Sequence, residues 1–115
     1  MRTVAERMPD APIRLRLEQN DAGDGPRVRL VVVGELDSLS REDFVRAAIE
    51  GLEESPALEI ELAGVEFVDT VGLSGLVAVS NIARADGKSV AITSCSRPVE
   101  RLLRLTGLAD LLPLS

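Results

Sequence analysis

Hydrophobic and polar residues alternate along several short segments of the chain. Residues 13–18 and 58–62 alternate strictly, which is the pattern of strands with one face in the core and the other in solvent. The β-branched run at residues 28–33 predicts a strand that is covered on both faces, and residues 90–93 predict another strand. Turn-forming residues fill positions 20–26, so we expect the first two strands to form a hairpin.

Three segments carry the spacing of helices instead. The first begins near Ser40, which can cap it, and ends before Pro56. The second covers about residues 70–85 and is apolar over much of its circumference. The third has Pro98 in its first turn and ends at Gly107, a residue suited to the left-handed position that closes a helix.

The two ends of the chain are less regular. Residues 1–12 show no period, and we expect a flexible N-terminal tail there, followed by a single domain over residues 13–115. Residues 111–114 are a candidate for a last short strand. A hairpin is therefore followed by alternating helices and strands, which predicts an α/β domain with a mixed sheet and helices packed on it.

Composition narrows the functions that such a domain can have. The 115 residues fit one domain, and 13 basic against 19 acidic residues give a net charge of −6, which argues against binding to nucleic acid. The chain has no histidine, which excludes imidazole-based triads and histidine-ligated zinc. Its single cysteine, Cys95, cannot form an internal disulfide, which suits a reducing compartment. No apolar run has the length of a signal peptide or of a membrane span. We therefore expect a cytoplasmic binding protein that is not an enzyme and uses no catalytic residue, cofactor or metal.

Two acidic turns beside predicted strands are the best candidates for a functional site. Asp37 lies in the turn after residues 28–33, and Asp69 lies directly before the second helix. The carboxyl ends of parallel strands meet at one edge of a sheet, where binding sites usually lie. Asp69 or Thr70 is expected to cap the helix, and a purely structural role, with Gly72 serving close packing, is the alternative interpretation of this segment.

Thr70 gives this segment a chemistry beyond capping. Phosphorylation of a hydroxyl at a helix N-terminus adds about 1.5 to 2 negative charges at a place where the helix dipole tolerates an anion. The fold would survive, while Asp37 and Asp69 would strengthen the repulsion of an acidic partner. Gly72 and Gly75 are expected to let the backbone of a partner approach the helix. These features predict a binding switch in which this chain does no catalysis.

The segment GELD at residues 34–37, the segment FVDTVGLSGL at residues 67–76 and the third helix with its end, residues 96–108, occur in this order along the chain. Together they resemble the signatures of STAS domains of the anti-sigma factor antagonist family. The resemblance spans about residues 13–115. It implies the STAS fold, a small mixed sheet of four to five strands flanked by about three to four helices, which agrees with the predicted order of elements.

The resemblance also implies a partner switch. Members of this family bind an anti-sigma factor that is also a serine/threonine kinase, and they thereby release a sigma factor for transcription. Phosphorylation of the residue after the motif aspartate breaks the complex, and a serine/threonine phosphatase restores it. Here that residue is Thr70, and Asp37 matches the acidic residue that contributes to recognition by the kinase. The residues that the resemblance assigns to partner binding are Asp37, Asp69, Thr70, Val71, Gly72, Leu73, Ser74 and Gly75.

One position departs from the family pattern. Many antagonists have a serine at the phosphorylation site and a second hydroxyl residue after it, where this chain has Thr70 and Val71. Threonine can still be phosphorylated, and Val71 leaves a single hydroxyl for a kinase to use. We therefore expect Thr70 to be the phosphorylation site.

Two other functions stay open. One is a STAS subunit that docks on the ATPase of a membrane lipid-transport complex, an ABC transporter, without switching. The other is a nucleotide-binding or enzymatic STAS-like domain, for which no phosphate-binding glycine loop and no general base is visible. We expect no insertion into a membrane, and either a monomer or a weak dimer. Arg97, Arg101 and Arg104 recur along the third helix, either as a solvated face or as a cationic strip for an acidic partner.

Overall fold

The computed structural model describes residues 2–7, 13–22 and 25–112. Within these ranges the strands are β1 (Arg2–Arg7), β2 (Ile13–Ala22), β3 (Gly25–Leu36), β4 (Ala57–Val68) and β5 (Ser89–Cys95). The α-helices are α1 (Arg41–Glu54), α2 (Thr70–Ala85) and α3 (Arg97–Thr106), and a 3-10 helix follows at Leu108–Leu111.

The strands form one mixed sheet in the order β1-β2-β3-β4-β5. The pairs β1·β2 and β2·β3 are antiparallel, whereas β3·β4 and β4·β5 are parallel. The parallel strands are joined through α1 and α2, because parallel neighbours need a long crossover connection. The predicted fold class, an α/β domain with a mixed sheet of four to five strands flanked by helices, is confirmed.

The core lies on one face of the sheet. Leu17 and Leu58 are 2% and 1% exposed, and a Cβ atom on Gly51 would lie 3.1 Å and 2.7 Å from their methyl groups, so α1 packs on this face. The opposite face is half-exposed and carries an ion pair across two strands, with Arg29 Nε 3.4 Å from Glu59 Oε2. The expectation that β3 is covered on both faces is therefore wrong, because its buried side chains all lie on the α1 side.

β1 stands where the flexible tail over residues 1–12 was expected. Arg2–Arg7 pairs antiparallel with β2, and the register is interrupted between Thr3 and Ala5. This corrects the expectation for residues 2–7. An interrupted register breaks the alternation of period two, so periodicity gave no signal for this strand. Residue 1 and residues 8–12 lie outside the described residues.

The hairpin between the first two predicted strands is present, and its strands are longer than expected. β2 and β3 pair as far as Ala22 opposite Gly25. Most of the predicted loop at residues 20–26 therefore belongs to the strands, because backbone pairing continues through turn-forming residues once the inner register is set. Residues 23 and 24 lie outside the described residues.

The helices lie where the spacing predicts them. α3 begins after Ser96, whose hydroxyl accepts the N–H of Val99 at 3.5 Å, and it ends at Gly107 with a φ of 72°, the left-handed conformation that glycine favours. A 3-10 helix occupies the start of the candidate strand at residues 111–114, and residues 113–115 lie outside the described part. Among the described helices, none combines the length and the apolar character that crossing a membrane needs.

Candidate functional site

The start of α2 is held by Asp69. Its carboxylate Oδ1 accepts a hydrogen bond of 2.8 Å from the backbone N–H of Gly72. This bond satisfies one of the N–H groups that a helix leaves without a partner at its N-terminus. Of the two residues that the sequence allows as the cap, Asp69 and Thr70, the structure has Asp69.

Gly72 brings α2 against the end of β3. A Cβ atom at this position would lie 2.0 Å from the carbonyl oxygen of Leu36 and 3.0 Å from the backbone nitrogen of Asp37, so a larger residue does not fit here. The backbone N–H of Asp69 donates to the same Leu36 carbonyl at 3.3 Å. The two acidic turns are therefore in contact, as expected for the carboxyl ends of neighbouring parallel strands.

The turn that contains Asp37 is held by its own side chain. Asp37 Oδ1 accepts hydrogen bonds from the backbone N–H groups of Leu39 at 3.0 Å and Ser40 at 3.2 Å. The fully buried hydroxyl of Ser40 donates to the Glu35 carbonyl at 2.7 Å and accepts from the Asp37 N–H at 3.0 Å. The expectation that the Ser40 side chain caps α1 is wrong, because its hydroxyl is used inside this turn.

Thr70 lies on the surface as the first residue of α2. It is exposed, and its hydroxyl makes no hydrogen bond with any residue that the structure describes. Val71 beside it is 44% exposed, and Leu39 on the adjoining turn is 75% exposed. We call Asp37, Leu39, Asp69, Thr70 and Val71 the Thr70 surface. Its mixture of exposed apolar groups, two carboxylates and one unengaged hydroxyl suits contact with another protein.

Leu39 was not among the predicted site residues. It is a large apolar residue between two serines, in a turn whose other members are polar. Such a residue has no place in a helical or strand period, and its position in the turn is the signal that identifies it as a surface residue available for contacts.

Three of the residues predicted to bind a partner lie inside the molecule. Leu73 is fully buried, and Gly72 and Gly75 are buried as well. A Cβ atom on Gly75 would lie 3.2 Å from Cγ of Arg41, so this glycine lets α1 and α2 pack closely. The expectation that Gly72 and Gly75 admit the backbone of a partner is therefore corrected: both glycines serve contacts within the chain.

Ser74, another predicted partner-binding residue, links the two helices. Its half-buried hydroxyl accepts a hydrogen bond of 2.9 Å from Nε of Arg41 and donates to the carbonyl of Val71. A guanidinium is a donor only, so Arg41 cannot take the hydroxyl proton. Ser74 thus has no base beside it of the kind that a serine nucleophile needs.

The remaining chemistry near the site is limited. Asp37 and Asp69 each use a carboxylate oxygen on backbone N–H groups. In the described part of the chain, no three side chains of His, Cys, Asp or Glu are grouped so that they could hold a metal ion. At the end of β5, burial and then the carboxylate of Glu100 raise the pKa of the Cys95 thiol. The thiol is therefore protonated near neutral pH and is a weak nucleophile.

The sequence places the chain in a known family. The family model described as "Mlab, STAS domain" matches residues 20–113, and the chain belongs to this family of STAS domains. The matched stretch contains the whole Thr70 surface. Among curated protein sequences, none matches this one.

Solved structures with this fold include antagonists of anti-sigma factors. An anti-sigma factor antagonist from Mycobacterium paratuberculosis superposes with a TM-score of 0.74 at 29% identity, over 93% of this chain and 87% of that chain. The anti-sigma factor antagonist SpoIIAA in its unphosphorylated form gives a TM-score of 0.61 at 17% identity, over 88% of this chain and 87% of that chain. SpoIIAA of Bacillus in the phosphorylated form gives 0.61 at 14% identity, over 88% and 90%. At these identities the two SpoIIAA structures share the fold with this chain.

Proposed function

We propose that this chain is an anti-sigma factor antagonist that binds an anti-sigma factor with its Thr70 surface and releases it when Thr70 is phosphorylated. The chain itself catalyses nothing: the anti-sigma factor supplies the kinase activity, and a separate serine/threonine phosphatase restores the unmodified hydroxyl. The observation that carries the proposal is the position of Thr70, exposed at the first residue of α2 with its hydroxyl unengaged by the described residues.

Phosphorylation of Thr70 is compatible with the fold. Asp69 already caps α2 through the N–H of Gly72, so the Thr70 hydroxyl is not needed for the helix. The new group carries about 1.5 to 2 negative charges and lies near the positive end of the helix dipole. Esterification therefore changes the surface while the packing beneath it stays in place.

The same modification is incompatible with a close contact at this surface. The phosphate would add its charge beside the carboxylates of Asp37 and Asp69, and it would have to be buried together with the apolar side chains of Leu39 and Val71. Burial of a charged group without a partner is strongly unfavourable, and like charges repel. A partner that covers the unmodified surface would therefore dissociate.

The solved structures support this proposal in two ways. The M. paratuberculosis protein that shares the fold over most of both chains is an anti-sigma factor antagonist. SpoIIAA, also an anti-sigma factor antagonist, exists in an unphosphorylated and a phosphorylated form, and this chain resembles both. A fold of this kind is thus known to remain intact in both states.

Calorimetric binding to an anti-sigma factor kinase of the same organism tests the proposal. We expect Thr70→Glu to weaken binding at least about tenfold, or ~1.4 kcal/mol, because the carboxylate introduces charge at the contact. Thr93→Glu is the matched control, since Thr93 is also exposed but lies on β5 away from the α2 start. Unchanged affinity of Thr70→Glu, or an equal loss in Thr93→Glu, would overturn the assignment of the surface.

A second candidate function is a non-switching STAS subunit docked on the ATPase of a membrane lipid-transport complex. It is favoured by Val71, which stands where many antagonists have a second hydroxyl, and by Leu39, because apolar side chains at the centre of an interface are typical of permanent assemblies. Stable copurification with an ATPase, together with no phosphate on Thr70 after incubation with the kinase, would favour this function over the switch.

A further inference from the structure

A groove separates the end of β4 from α3. β5 pairs with β4 only as far as Cys95 opposite Leu62, while β4 continues to Val68. After Cys95 the chain leaves the sheet and enters α3, with the backbone N–H of Ser96 donating to the Leu62 carbonyl at 3.1 Å. Between α3 and the extended end of β4 lies a volume of about 740 Å³. This volume is in the range of about 300–1,000 Å³ that ligand sites occupy.

The groove has exposed apolar walls. Phe67 on β4 is 48% exposed, and Leu105 on α3 is 73% exposed, and both line the groove. Phe67 is one of the two phenylalanines of the chain. Both Phe67 and Leu105 are among the five large apolar side chains that are exposed in the described residues. A rim of charged residues around such apolar groups is the composition of a protein contact site.

The charge of the groove opposes that of the whole chain. The lining contains three arginines and only two carboxylates: Arg97, Arg101, Arg104, Glu66 and Glu100. None of the three arginines forms an ion pair with a residue that the structure describes. By contrast, three other arginines form ion pairs: Arg16 with Glu18, Arg29 with Glu59 and Glu61, and Arg46 with Glu42 and Asp43. In a chain of net charge −6, three unpaired guanidinium groups on one helix indicate an acidic partner.

The end of β4 adds a backbone edge to this site. On its β3 side, β4 is paired through Phe67 opposite Glu35 and Val68 opposite Leu36. On its other side, no strand of the described part lies beside it after Leu62. An uncovered strand edge presents N–H and C=O groups that an extended peptide can pair with.

We propose that this groove binds an extended acidic segment with apolar side chains, supplied by the partner protein. The apolar side chains of the segment would contact Phe67 and Leu105, and its carboxylates would pair with the arginines of α3. The identity of this partner as the anti-sigma factor rests on the proposed function above. Phe67 and Val68 line the groove and directly precede Asp69 and Thr70, so the groove and the Thr70 surface are adjacent along the chain.

A peptide experiment tests the groove separately from the switch. The probe is a fluorescein-labelled peptide of four glutamates alternating with three leucines, with a peptide of four lysines and three leucines as the charge control, measured by fluorescence anisotropy. We expect the acidic peptide to bind and the basic peptide not to bind. Arg101→Glu and Leu105→Ser should each weaken binding about tenfold, or ~1.4 kcal/mol, because one reverses a pairing charge and the other removes an apolar contact.

The controls separate the groove from general charge effects. Arg46→Glu changes an exposed arginine of α1 by the same charge and should leave peptide binding unchanged. Thermal melting checks that each variant folds, and Arg97→Glu replaces Arg101→Glu if the latter does not. Equal binding of both peptides, or full binding by the Arg101 and Leu105 variants, would overturn the proposal.

Two further outcomes would assign the groove to another occupant and would also overturn the proposal. The first is binding to phosphatidylglycerol vesicles with no binding of the acidic peptide. The second is self-association in sedimentation that Leu105→Ser abolishes, again without peptide binding. None of these outcomes changes the result expected for Thr70→Glu with the anti-sigma factor, so failure of the groove and failure of the switch are distinguishable.

Discussion

The starts of α2 and α3 both have a hydroxyl residue, and they use it in opposite ways. At α3, Ser96 is itself the cap, and its hydroxyl accepts the N–H of Val99. At α2, Asp69 is the cap, and the hydroxyl of Thr70 one residue later is left exposed. A hydroxyl that caps a helix is tied to the fold, whereas one beside a capping aspartate is available for modification. Because Asp69 caps α2, Thr70 can carry the proposed modification without loss of the cap.

The largest expected effect comes from Gly72, which fixes the α2 start against β3. Gly72→Ala would place a Cβ 2.0 Å from the Leu36 carbonyl oxygen, a backbone atom that cannot turn aside. We expect the free energy of unfolding in urea to fall by about 3 kcal/mol. Gly75→Ala is the control, because its Cβ meets the flexible Arg41 side chain at 3.2 Å, and we expect it to cost less than ~1 kcal/mol. Equal losses for the two variants would contradict the close approach at Gly72.

A smaller effect is expected from the cap itself. Asp69→Ala removes the acceptor for the Gly72 N–H and should lower the free energy of unfolding by about 1 kcal/mol. Asp69→Asn keeps an acceptor oxygen and should stay close to the original protein, since asparagine caps helices as well as aspartate. If Asp69→Ala were as stable as Asp69→Asn, the capping role would have to be given up.

Removal of the Ser96 hydroxyl should lower the free energy of unfolding more than removal of the Thr70 hydroxyl. Ser96→Ala loses a cap with a long hydrogen bond of 3.5 Å and should cost about 0.5 to 1 kcal/mol. Thr70→Ala removes a hydroxyl without a described partner and should change stability by less than ~0.5 kcal/mol. Urea denaturation of both variants measures the difference. A larger loss for Thr70→Ala than for Ser96→Ala would reverse the comparison.

The smallest expected effect concerns the thiol beside the α3 start. Because burial and Glu100 raise the pKa of Cys95, the folded chain holds the thiol proton more tightly than the unfolded chain does. Alkylation by iodoacetamide at pH 8 should be slower than in the urea-unfolded chain, and the rate should rise as the pH increases above that value. The raised pKa of Cys95 also contributes to the stability of the folded chain. This contribution is present at low pH and is lost as the pH rises through the pKa of the folded chain. Equal alkylation rates in the two states would contradict the raised pKa.

Much of the fold follows from local patterns. The alternation at residues 58–62, the cap before α2 and the left-handed glycine at position 107 are each visible within a few residues of sequence, and each is present. β1 is different, because it is defined by pairing with β2 across an interrupted register, and no local period reveals a pairing of that kind.

The sequence predicts the polar residues of the site, but it does not predict how the glycines beside them pack. Asp37, Asp69 and Thr70 are polar residues at strand ends, where chemistry-bearing groups are expected, and the structure brings them to one edge. The roles of Gly72 and Gly75 depend on which backbone or side chain lies opposite them. That information is tertiary, so the sequence alone favours an opening for a partner at two glycines that the structure places in contacts between its own elements.

The central claim is that Thr70 is the residue whose modification controls partner binding. Incubation of the chain with an anti-sigma factor kinase and ATP, followed by peptide mass spectrometry and a binding measurement on the modified protein, tests it most directly. The expected result is one phosphate, on Thr70, and loss of binding by the phosphorylated chain with its circular dichroism spectrum unchanged. A phosphate at any other residue, or a Thr70-phosphorylated chain that still binds with full affinity, would contradict the claim.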